Sequence, residues 1–261
     1  MLTKTNRVSM LIDLKGKTAI VTGGARDIGR AIVLELAASG ASVVVNYHSS
    51  EDAARQVVEE VTSRGGRAMA SRADVSKGLD AKRLVADAVA AFGDRIDILV
   101  NNAGGLVARK KLEEMDEAFW DHVLALNLKS VFNVTKAALP HLAEGGAIVN
   151  LSSLAARDGG GGGALAYSAA KGAVLTLTRG LSKELAPRRI RVNCVSPGMI
   201  ATTFHDTFTP PEVRKTVASR TSAGREGTAS DVAKAVTFLA SDASSYITGE
   251  SIEINGGLYF V

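Results

Sequence analysis

The sequence predicts an α/β fold with a doubly wound, mostly parallel sheet of seven strands and helices on both faces. Two patterns support this fold class. Short runs of Val, Ile and Leu, typical of strands buried on both faces, alternate along the 261 residues with longer amphipathic stretches that are typical of helices. No change in composition marks a domain boundary and no internal repeat is present. We therefore expect a tail at residues 1–12 and a single domain over residues 13–261.

The predicted strands and helices follow one another in regular alternation. The seven apolar runs lie at residues 18–21, 42–45, 67–71, 96–100, 147–151, 190–195 and 251–254, and the third is the weakest. Apolar residues recur at the helical period in six stretches, at residues 28–39, 51–64, 77–92, 116–143, 165–186 and 229–241. A helix between successive strands allows each strand to run parallel to the one before it.

Two segments show neither period, and both follow predicted strands. Five consecutive glycines at 159–163 predict a flexible loop, and residues 199–228 contain Pro210 and Pro211 with weak periodicity. Long irregular segments in a compact domain are usually lids or binding loops. Ligands of such folds bind beyond the carboxyl ends of the strands. We therefore expect a substrate loop at about residues 199–228.

Composition and charge argue against several kinds of function. The 31 basic and 27 acidic residues are scattered, and the basic clusters at 109–111 and 188–191 lack interleaved aromatics, which indicates solvated surface and no nucleic-acid partner. Cys194 is the only cysteine, so no disulfide can form within the chain, as is usual in a reducing cytoplasm. The four histidines show no metal-ligand spacing. No apolar run of about 18 residues predicts a membrane span, and residues 1–12 do not resemble an export signal. We expect a cytoplasmic protein.

Tyr167 and Lys171 are the most informative pair of residues. They stand four residues apart in a predicted helix, so a phenol and an ammonium group can be held side by side on one face. A fixed cation favours the phenolate and is expected to lower the tyrosine pKa from about 10 towards neutrality. A tyrosine with such a pKa can exchange a proton at working pH. The spacing alone is weak evidence, and its alternative is a packed tyrosine beside a solvated lysine.

A second pattern, at residues 18–30, is typical of a dinucleotide-binding turn. An apolar strand is followed by Gly23 and Gly24, and then by Gly29 at the start of a helix. Glycine permits the positive φ angles of a tight turn and the close packing of helix against strand. The N–H groups at the start of the helix suit a pyrophosphate. A plain turn between strand and helix could also hold these glycines, but the strand-turn-helix context that the motif requires is present.

Together the two patterns resemble the short-chain dehydrogenase/reductase family, which has a Rossmann-like fold. The family's glycine motif matches at Thr22, Gly23 and Gly29, and Asp27 takes the place of its middle glycine. Asp is a good helix N-cap, and we expect that role for Asp27, with a neighbouring arginine offsetting its charge. The resemblance covers about residues 13–257 and includes the segments at 101–104, 196–202 and 246–257.

The resemblance implies an oxidoreductase that transfers hydride between a nicotinamide cofactor and a carbonyl or secondary alcohol. It carries four catalytic positions to this chain, at Asn127, Ser153, Tyr167 and Lys171. Tyr167 would exchange the proton, while Lys171 would lower its pKa and orient the nicotinamide ribose. Ser153, for which Ser152 is the rival, would bind the substrate oxygen. Asn127 would hold a water that links the lysine to solvent.

The same resemblance implies a cofactor site along the carboxyl edge of the sheet. NAD-preferring folds place Asp or Glu at the end of the second strand, where this chain has Asn46. A neutral amide does not repel a 2′-phosphate, which Arg26, Ser49 and His48 could bind. We therefore expect NADP(H) to be preferred, with NAD(H) as the alternative. The implied cofactor positions are Gly23, Arg26, Asp27, Ile28, Gly29, Asn46, Tyr47, His48, Ser49, Asp74, Val75, Asn102, Ala103, Gly104, Tyr167, Lys171, Pro197, Gly198, Ile200 and Thr202.

The overall pattern most resembles 3-oxoacyl-(acyl carrier protein) reductases, but sugar or sugar-acid (uronate) dehydrogenases of the family share every motif. The polar segment at residues 202–207 favours a small polar substrate. A non-catalytic dinucleotide sensor is a remote alternative that only Asp27 supports. Family members are usually tetramers formed through the fourth and fifth helices and the last strand. We expect a homotetramer that acts on a small carbonyl or alcohol and needs no metal.

Overall fold

Seven parallel strands form one sheet in the computed structural model, which describes residues 12–261. The strands are β1 Thr18–Val21, β2 Ser42–Tyr47, β3 Arg67–Arg72, β4 Ile96–Asn101, β5 Leu142–Leu151, β6 Arg191–Pro197 and β7 Ser251–Ile254. Their order is β3-β2-β1-β4-β5-β6-β7. The predicted fold class is therefore confirmed, whereas the tail predicted at residues 1–12 lies outside the described residues except for Ile12.

Helices join the strands and cover both faces of the sheet. They are α1 Asp27–Ala38, α2 Glu51–Ser63, α3 Gly78–Phe92, α4 Glu117–Leu124, α5 Ser130–Ala138, α6 Ala155–Asp158, α7 Leu165–Glu184, α8 Thr203–Phe208, α9 Pro211–Arg220 and α10 Ala229–Ala240. A π-helical turn, Ala125–Lys129, joins α4 to α5. Over residues 12–261, no helix combines the length and the apolar character that crossing a membrane requires.

Alternate residues of the central strands face two separate hydrophobic cores. Val21 and Val45 pack with α1, α2 and α10 on one face, whereas Ile20 and Val44 pack with α3 and α5 on the other. All four side chains are fully buried. Cys194 is buried in a smaller third cluster beside α7, as expected of a core thiol. Burial on both faces explains why these strands appear in the sequence as continuous apolar runs.

The prediction of one continuous helix over residues 116–143 is wrong, because the helix is interrupted and ends earlier. It is interrupted by the π-helical turn and stops at Ala138. Pro140 has no N–H with which to continue the helical hydrogen bonds. Leu142 already pairs with Ile96 as the first residue of β5. The apolar pattern continued past the true end because the strand that follows is apolar too.

The segment predicted as an irregular substrate loop, residues 199–228, is largely helical. It forms α8 and α9, and α9 begins at Pro211, a residue that is favoured in the first helical turn. Neither helix contains a fully buried residue. Because both helices lack a continuous apolar face, the periodicity by which helices are recognised is missing from their sequence.

One residue of the basic cluster at 188–191 is not on the surface. Arg191 is 9 % exposed, and its guanidinium donates hydrogen bonds to the carbonyl oxygens of Leu239 (2.8 Å) and Ser241 (3.0 Å). The prediction of a fully solvated cluster is wrong here, because carbonyl groups at the end of α10 take the place of water around the guanidinium.

The order of the strands determines where a ligand can bind. The connection from β1 leads to β2 on one side, and the connection from β4 leads to β5 on the other, so a crevice opens at the carboxyl ends of β1 and β4. Thr22 Oγ1 accepts hydrogen bonds from the N–H groups of Asn102 (2.9 Å) and Ala103 (3.0 Å). The Asn102 side chain donates to the Thr22 carbonyl (2.9 Å). These hydrogen bonds join the two strand ends.

The fit of α1 against the turn after β1 can be tested at Gly29. A Cβ there would lie 2.1 Å from the Gly23 carbonyl oxygen and 2.6 Å from Asn102 Nδ2. We expect Gly29→Ala to lower the free energy of unfolding by about 2 kcal/mol or more. Gly180→Ala is the matched control, because nothing lies within 4 Å of a Cβ on that exposed helical residue, and it should gain up to about 1 kcal/mol. Urea denaturation measures both, and equal effects of the two substitutions would contradict this account.

Candidate active site

A cavity of about 600 Å³ lies at the carboxyl edge of the sheet. It extends from the turn after β1, past the ends of β2 and β4, to the ends of β5 and β6, and α8 and α9 form its outer wall. Most of the predicted site residues line this one cavity: Gly23, Arg26, Asp27, Ile28, Gly29, Tyr47, His48, Ser49, Asn102, Ala103, Gly104, Ser153, Tyr167, Lys171, Pro197, Gly198, Ile200 and Thr202.

Four predicted site residues do not line the cavity: Asn46, Asp74, Val75 and Asn127. Val75 belongs to the core between the sheet and α3. The Asp74 carboxylate accepts hydrogen bonds from the backbone N–H (3.1 Å) and the hydroxyl (2.6 Å) of Ser76. A direct contact between these side chains and a cofactor stays a prediction.

Tyr167 and Lys171 lie side by side on α7, as their spacing predicts. The Lys171 Nζ is 5.7 Å from the centroid of the Tyr167 ring. It donates a hydrogen bond to the Leu151 carbonyl (2.8 Å), and the lysine is only 4 % exposed. The ammonium group is therefore held at the end of β5, beside the phenol, and the lysine lines the cavity.

Burial governs the pKa of both groups. Removal from water raises the pKa of the Tyr167 phenol above its ordinary value, and the Ser153 hydroxyl opposes that rise. Burial also lowers the pKa of Lys171 to about 8. The expected fall of the Tyr167 pKa towards neutrality is therefore wrong, because the loss of water outweighs the attraction of the lysine's charge. The ammonium group faces the Leu151 carbonyl, while the loss of water acts on the phenolate directly.

The two serines after β5 have different neighbours. Ser152 is buried, and its hydroxyl donates to the Lys171 carbonyl (2.8 Å). Ser153 Oγ accepts a hydrogen bond from the Ala155 N–H (3.1 Å), which leaves its hydroxyl hydrogen available to the cavity. The arrangement favours Ser153 over Ser152 as the group that could donate to a substrate oxygen.

Asn127 lies in the π-helical turn between α4 and α5 and is fully buried. Its Oδ1 accepts from the Gly105 N–H (2.9 Å), and its Nδ2 donates to the carbonyls of Gly105 (2.9 Å) and Val123 (3.0 Å). A Cβ on Gly104 would lie 2.6 Å from Asn127 Oδ1 and 3.0 Å from Lys171 Nζ. Both polar groups therefore border the same glycine, and π-helical turns of this kind are frequent at functional sites.

Asn46 supports the glycine turn from beneath. It is 2 % exposed, its Oδ1 accepts from the Gly23 N–H (3.2 Å), and its Nδ2 donates to the carbonyls of Ser71 (3.3 Å) and Ala73 (3.1 Å). The side chain thus joins the end of β2 to β3 and to the turn after β1. An effect of Asn46 on cofactor binding would act through the position of Gly23.

Asp27 does not cap α1, and this prediction is wrong. Arg26 is the N-cap residue, without a side-chain hydrogen bond to the helix. Asp27 has a φ of 50°, in the left-handed region that costs an ordinary residue about 1–2 kcal/mol. Its carboxylate accepts hydrogen bonds from the backbone N–H (3.1 Å) and the hydroxyl of Thr203, the first residue of α8. Arg30 pairs with Glu60 and does not offset its charge.

Several residues on the other side of the cavity were not predicted. Arg109, from a cluster predicted to be solvated surface, donates to the carbonyls of Phe208 (3.1 Å) and Gly162 (2.7 Å). The ring of Phe204 lies 5.9 Å from that of Tyr167, centroid to centroid. His205 also lines the cavity, and burial is the main cause that lowers its pKa. The spacing of Phe204 and Phe208, four residues apart, is the one sequence signal that could have revealed this helix.

The groups in the cavity suit chemistry at an oxygen atom. A phenol, a serine hydroxyl and a buried ammonium group can donate hydrogen bonds to an oxygen that gains negative charge, and the phenol can supply a proton. Over residues 12–261, no cluster of three or more His, Cys, Asp or Glu side chains could hold a metal ion.

Comparison with known proteins gives close relatives over nearly the whole chain. A family model described as enoyl-(acyl carrier protein) reductase matches residues 23–259. A 3-oxoacyl-(acyl-carrier-protein) reductase of Staphylococcus aureus is 41 % identical over 245 residues, which cover 93 % of this chain and 98 % of the relative.

Two solved structures have a similar fold. A dehydrogenase/reductase from Sinorhizobium meliloti superposes with a TM-score of 0.91 at 38 % identity, covering 97 % of this chain and 99 % of the other. A short-chain dehydrogenase from Burkholderia cenocepacia in complex with NADP gives a TM-score of 0.87 at 37 % identity, covering 94 % and 98 %.

The buried lysine predicts how stability depends on pH. Because the folded protein lowers the Lys171 pKa from 10.5 to about 8, the unfolded chain binds one more proton between these values. Stability should therefore rise with pH across this window, by about 3 kcal/mol for this group. Lys171→Met removes the effect, so the variant should be more stable than the wild type at pH 7, with an advantage that shrinks towards pH 10.5.

Urea denaturation from pH 7 to pH 10.5 measures this difference. Lys183→Met is the matched control for the loss of a lysine, because Lys183 lies on the same helix with an exposed side chain. A constant difference between wild type and Lys171→Met over this range would show that the lysine is not destabilised by burial.

Proposed function

The chain belongs to the short-chain dehydrogenase/reductase family of oxidoreductases, and we propose that it is an NADP(H)-dependent carbonyl reductase with Tyr167 as its general acid. One observation carries this proposal. The phenol of Tyr167, the hydroxyl of Ser153 and the side chain of Lys171 line the same cavity as the glycine turn after β1. Such a cavity suits a dinucleotide along one part and a carbonyl substrate at the end near Tyr167.

The lining of the cavity fits a nicotinamide dinucleotide. The turn from Gly23 to Gly29 leads into the N-terminus of α1, where backbone N–H groups suit a pyrophosphate. At the end of β2, His48 and Ser49 offer polar groups to the adenosine part. When bound, the cofactor supplies the hydride, and the protein supplies position and charge. The complex of the Burkholderia relative with NADP supports this assignment.

The pKa values of the site suit reduction of a carbonyl. A raised pKa keeps the Tyr167 phenol protonated at neutral pH, which is the form that a proton donor needs. As negative charge develops on the substrate oxygen, the Tyr167 and Ser153 hydroxyls donate hydrogen bonds to it. The charge of Lys171 then stabilises the phenolate that remains once the proton has been given up.

Lys171 has further hydrogen-bond donors that could bind a cofactor. An ammonium group carries three hydrogens, and one of them is used by the Leu151 carbonyl. The others suit a ribose hydroxyl and a water beside Asn127, which borders the same glycine. In this scheme the water returns a proton to the site after each turnover.

The preference for NADP(H) rests on charge at the end of β2. Arg26, an exposed residue that lines the cavity, and His48 are both able to bind a 2′-phosphate. Asn46 occupies the position at which an acidic residue would repel the 2′-phosphate. Its amide group points into the sheet, where it hydrogen-bonds to Gly23 and Ser71. The cavity wall at this point therefore offers positive charge without a carboxylate from β2.

A 3-oxoacyl thioester or a similar apolar keto compound is the proposed substrate class. Three of the polar residues that favoured a small polar substrate do not line the cavity. They are exposed on the outer side of α8: Thr203, Asp206 and Thr207. The residues that line the cavity between Tyr167 and the outer helices are mainly apolar: Leu106, Leu154, Phe204, Val213, Val217 and Leu258. The Staphylococcus aureus relative named for 3-oxoacyl reduction supports this choice. A sugar or uronate dehydrogenase is the second candidate, supported by Arg109 and His205 in the wall.

Removal of the phenolic hydroxyl tests the general acid. A screen of 3-oxoacyl thioesters, aldoses and uronic acids by NADPH absorbance selects the best substrate, which we expect among the thioesters. On that substrate, Tyr167→Phe should lower kcat by at least about 100-fold, because the proton donor is lost, while NADPH still binds. Tyr246→Phe is the matched control, since that side chain is fully exposed. Near-normal turnover of Tyr167→Phe would refute the assigned acid.

Arg26 tests the cofactor preference. We expect the wild type to turn over faster with NADPH than with NADH at equal concentration. Arg26→Ala should raise KM for NADPH about tenfold, because a charged contact to the 2′-phosphate is lost, and should leave KM for NADH nearly unchanged. Arg30→Ala is the matched control, because Arg30 pairs with Glu60 and does not line the cavity. Preference of the wild type for NADH would overturn the assignment.

A further inference from the structure

The contact between Asp27 and α8 has a counterpart at the other end of that helix. Asp27 accepts two hydrogen bonds from Thr203, the first residue of α8. Arg109 donates to the carbonyl of Phe208, the last residue of α8 (3.1 Å), and also to the carbonyl of Gly162 (2.7 Å). One end of α8 is therefore tied to the turn after β1, and the other end is tied to the segment that follows β4.

Both ties involve backbone in the left-handed region, at Asp27 itself and two residues before Arg109. Over residues 12–261, three residues other than glycine have a positive φ: Asp27 (50°), Val107 (67°) and Arg189 (55°). Val107 stands two residues before Arg109, and a hydrogen bond of 2.8 Å between its two neighbours closes a γ-turn around it. A β-branched residue rarely adopts such a φ. Strain of this kind persists where surrounding contacts require it, typically at functional sites.

The helix between the two ties forms part of the active-site wall. Phe204 packs against the Tyr167 ring, with 5.9 Å between the ring centroids. Arg214 of α9 pairs with Asp206 of α8 and with Glu226 (2.7 Å), so that α8 and α9 are joined to each other. A displacement of α8 would carry α9 with it and would open the side of the cavity that faces Tyr167.

We propose that Asp27 and Arg109 are positioning residues that latch α8 over the cavity, and that a cofactor enters and leaves only when the contact between Asp27 and Thr203 opens. Asp27 belongs to the glycine turn, and its carboxylate reaches from that turn to α8. A dinucleotide bound at the turn would therefore have this contact beside it at the edge of the cavity. The gating step rests on the proposed function, whereas the latch is a property of the protein alone.

Hydrogen exchange in the protein alone tests the latch. Asp27→Gly removes the carboxylate and also relieves the backbone strain, so its melting temperature should not fall. Amide exchange at residues 203–208 should become about tenfold faster in Asp27→Gly and about threefold faster in Thr203→Val, which loses the hydroxyl donor. Thr203→Ser keeps the donor and should exchange as the wild type does. Arg109→Ala, which removes both donors, should speed exchange at the Phe208 end. Unchanged exchange at residues 203–208 in Asp27→Gly would overturn the latch.

Release of NADPH tests the gating step. In stopped-flow fluorescence, NADPH should dissociate about tenfold faster from Asp27→Gly than from the wild type. Thr203→Val should lie between the two, and Thr203→Ser should match the wild type. Faster exchange in α8 together with an unchanged NADPH dissociation rate would overturn the gate and leave the latch. A wild type that does not bind NADPH would refute the proposed function, while the exchange experiment would still decide the latch.

Discussion

The hydrogen bonds between the ends of β1 and β4 are the constraint on which the rest of the site depends. Thr22 and Asn102 hold these two strand ends together at the point where the connections leave in opposite directions. Asn102 also donates to the Gly23 carbonyl (3.0 Å), so the same side chain fixes the glycine turn. This link extends the pairing of β1 with β4 and fixes the glycine turn relative to the segment after β4, which contacts Asn127. The cavity has a definite shape because its two walls share these bonds.

Within that cavity, the pKa values of Tyr167 and Lys171 are governed by loss of water more than by the attraction between the two groups. Among the described residues, Lys171 has no carboxylate within salt-bridge distance, and its close partner is the Leu151 carbonyl. Cys194 lies nearby, but burial raises the pKa of that thiol to about 11, so it adds no negative charge at neutral pH. The positive charge of Lys171 is therefore uncompensated. Negative charge that forms on Tyr167 or on a substrate oxygen can therefore be stabilised by the positive charge of Lys171, which no other anion neutralises.

The sequence allowed the fold to be predicted almost completely, because the central strands are buried on both faces and therefore appear as apolar runs. The proximity of Tyr167 and Lys171 could also be predicted, because residues four apart lie on one face of a helix. Prediction failed where contacts join segments that are distant in the chain. Arg109 is exposed, as predicted, but nothing in the sequence indicates its hydrogen bonds to the carbonyls of Phe208 and Gly162. The direction of the Tyr167 pKa shift also escaped prediction, because spacing reports the distance to a cation but not the loss of water. The homotetramer stays a prediction.

Asp27 illustrates why a departure from a family motif must be interpreted through its contacts. In the sequence, a carboxylate in place of the motif's middle glycine is expected to cap the helix. In the structure, the left-handed φ turns the carboxylate towards Thr203, whose N–H and hydroxyl both donate to it. These donors stabilise the negative charge at the rim of the cavity. Glycine would remove the strain but could not make this contact. The residue that takes the place of the motif's glycine thus connects the glycine turn to α8, whose Phe204 lies beside Tyr167.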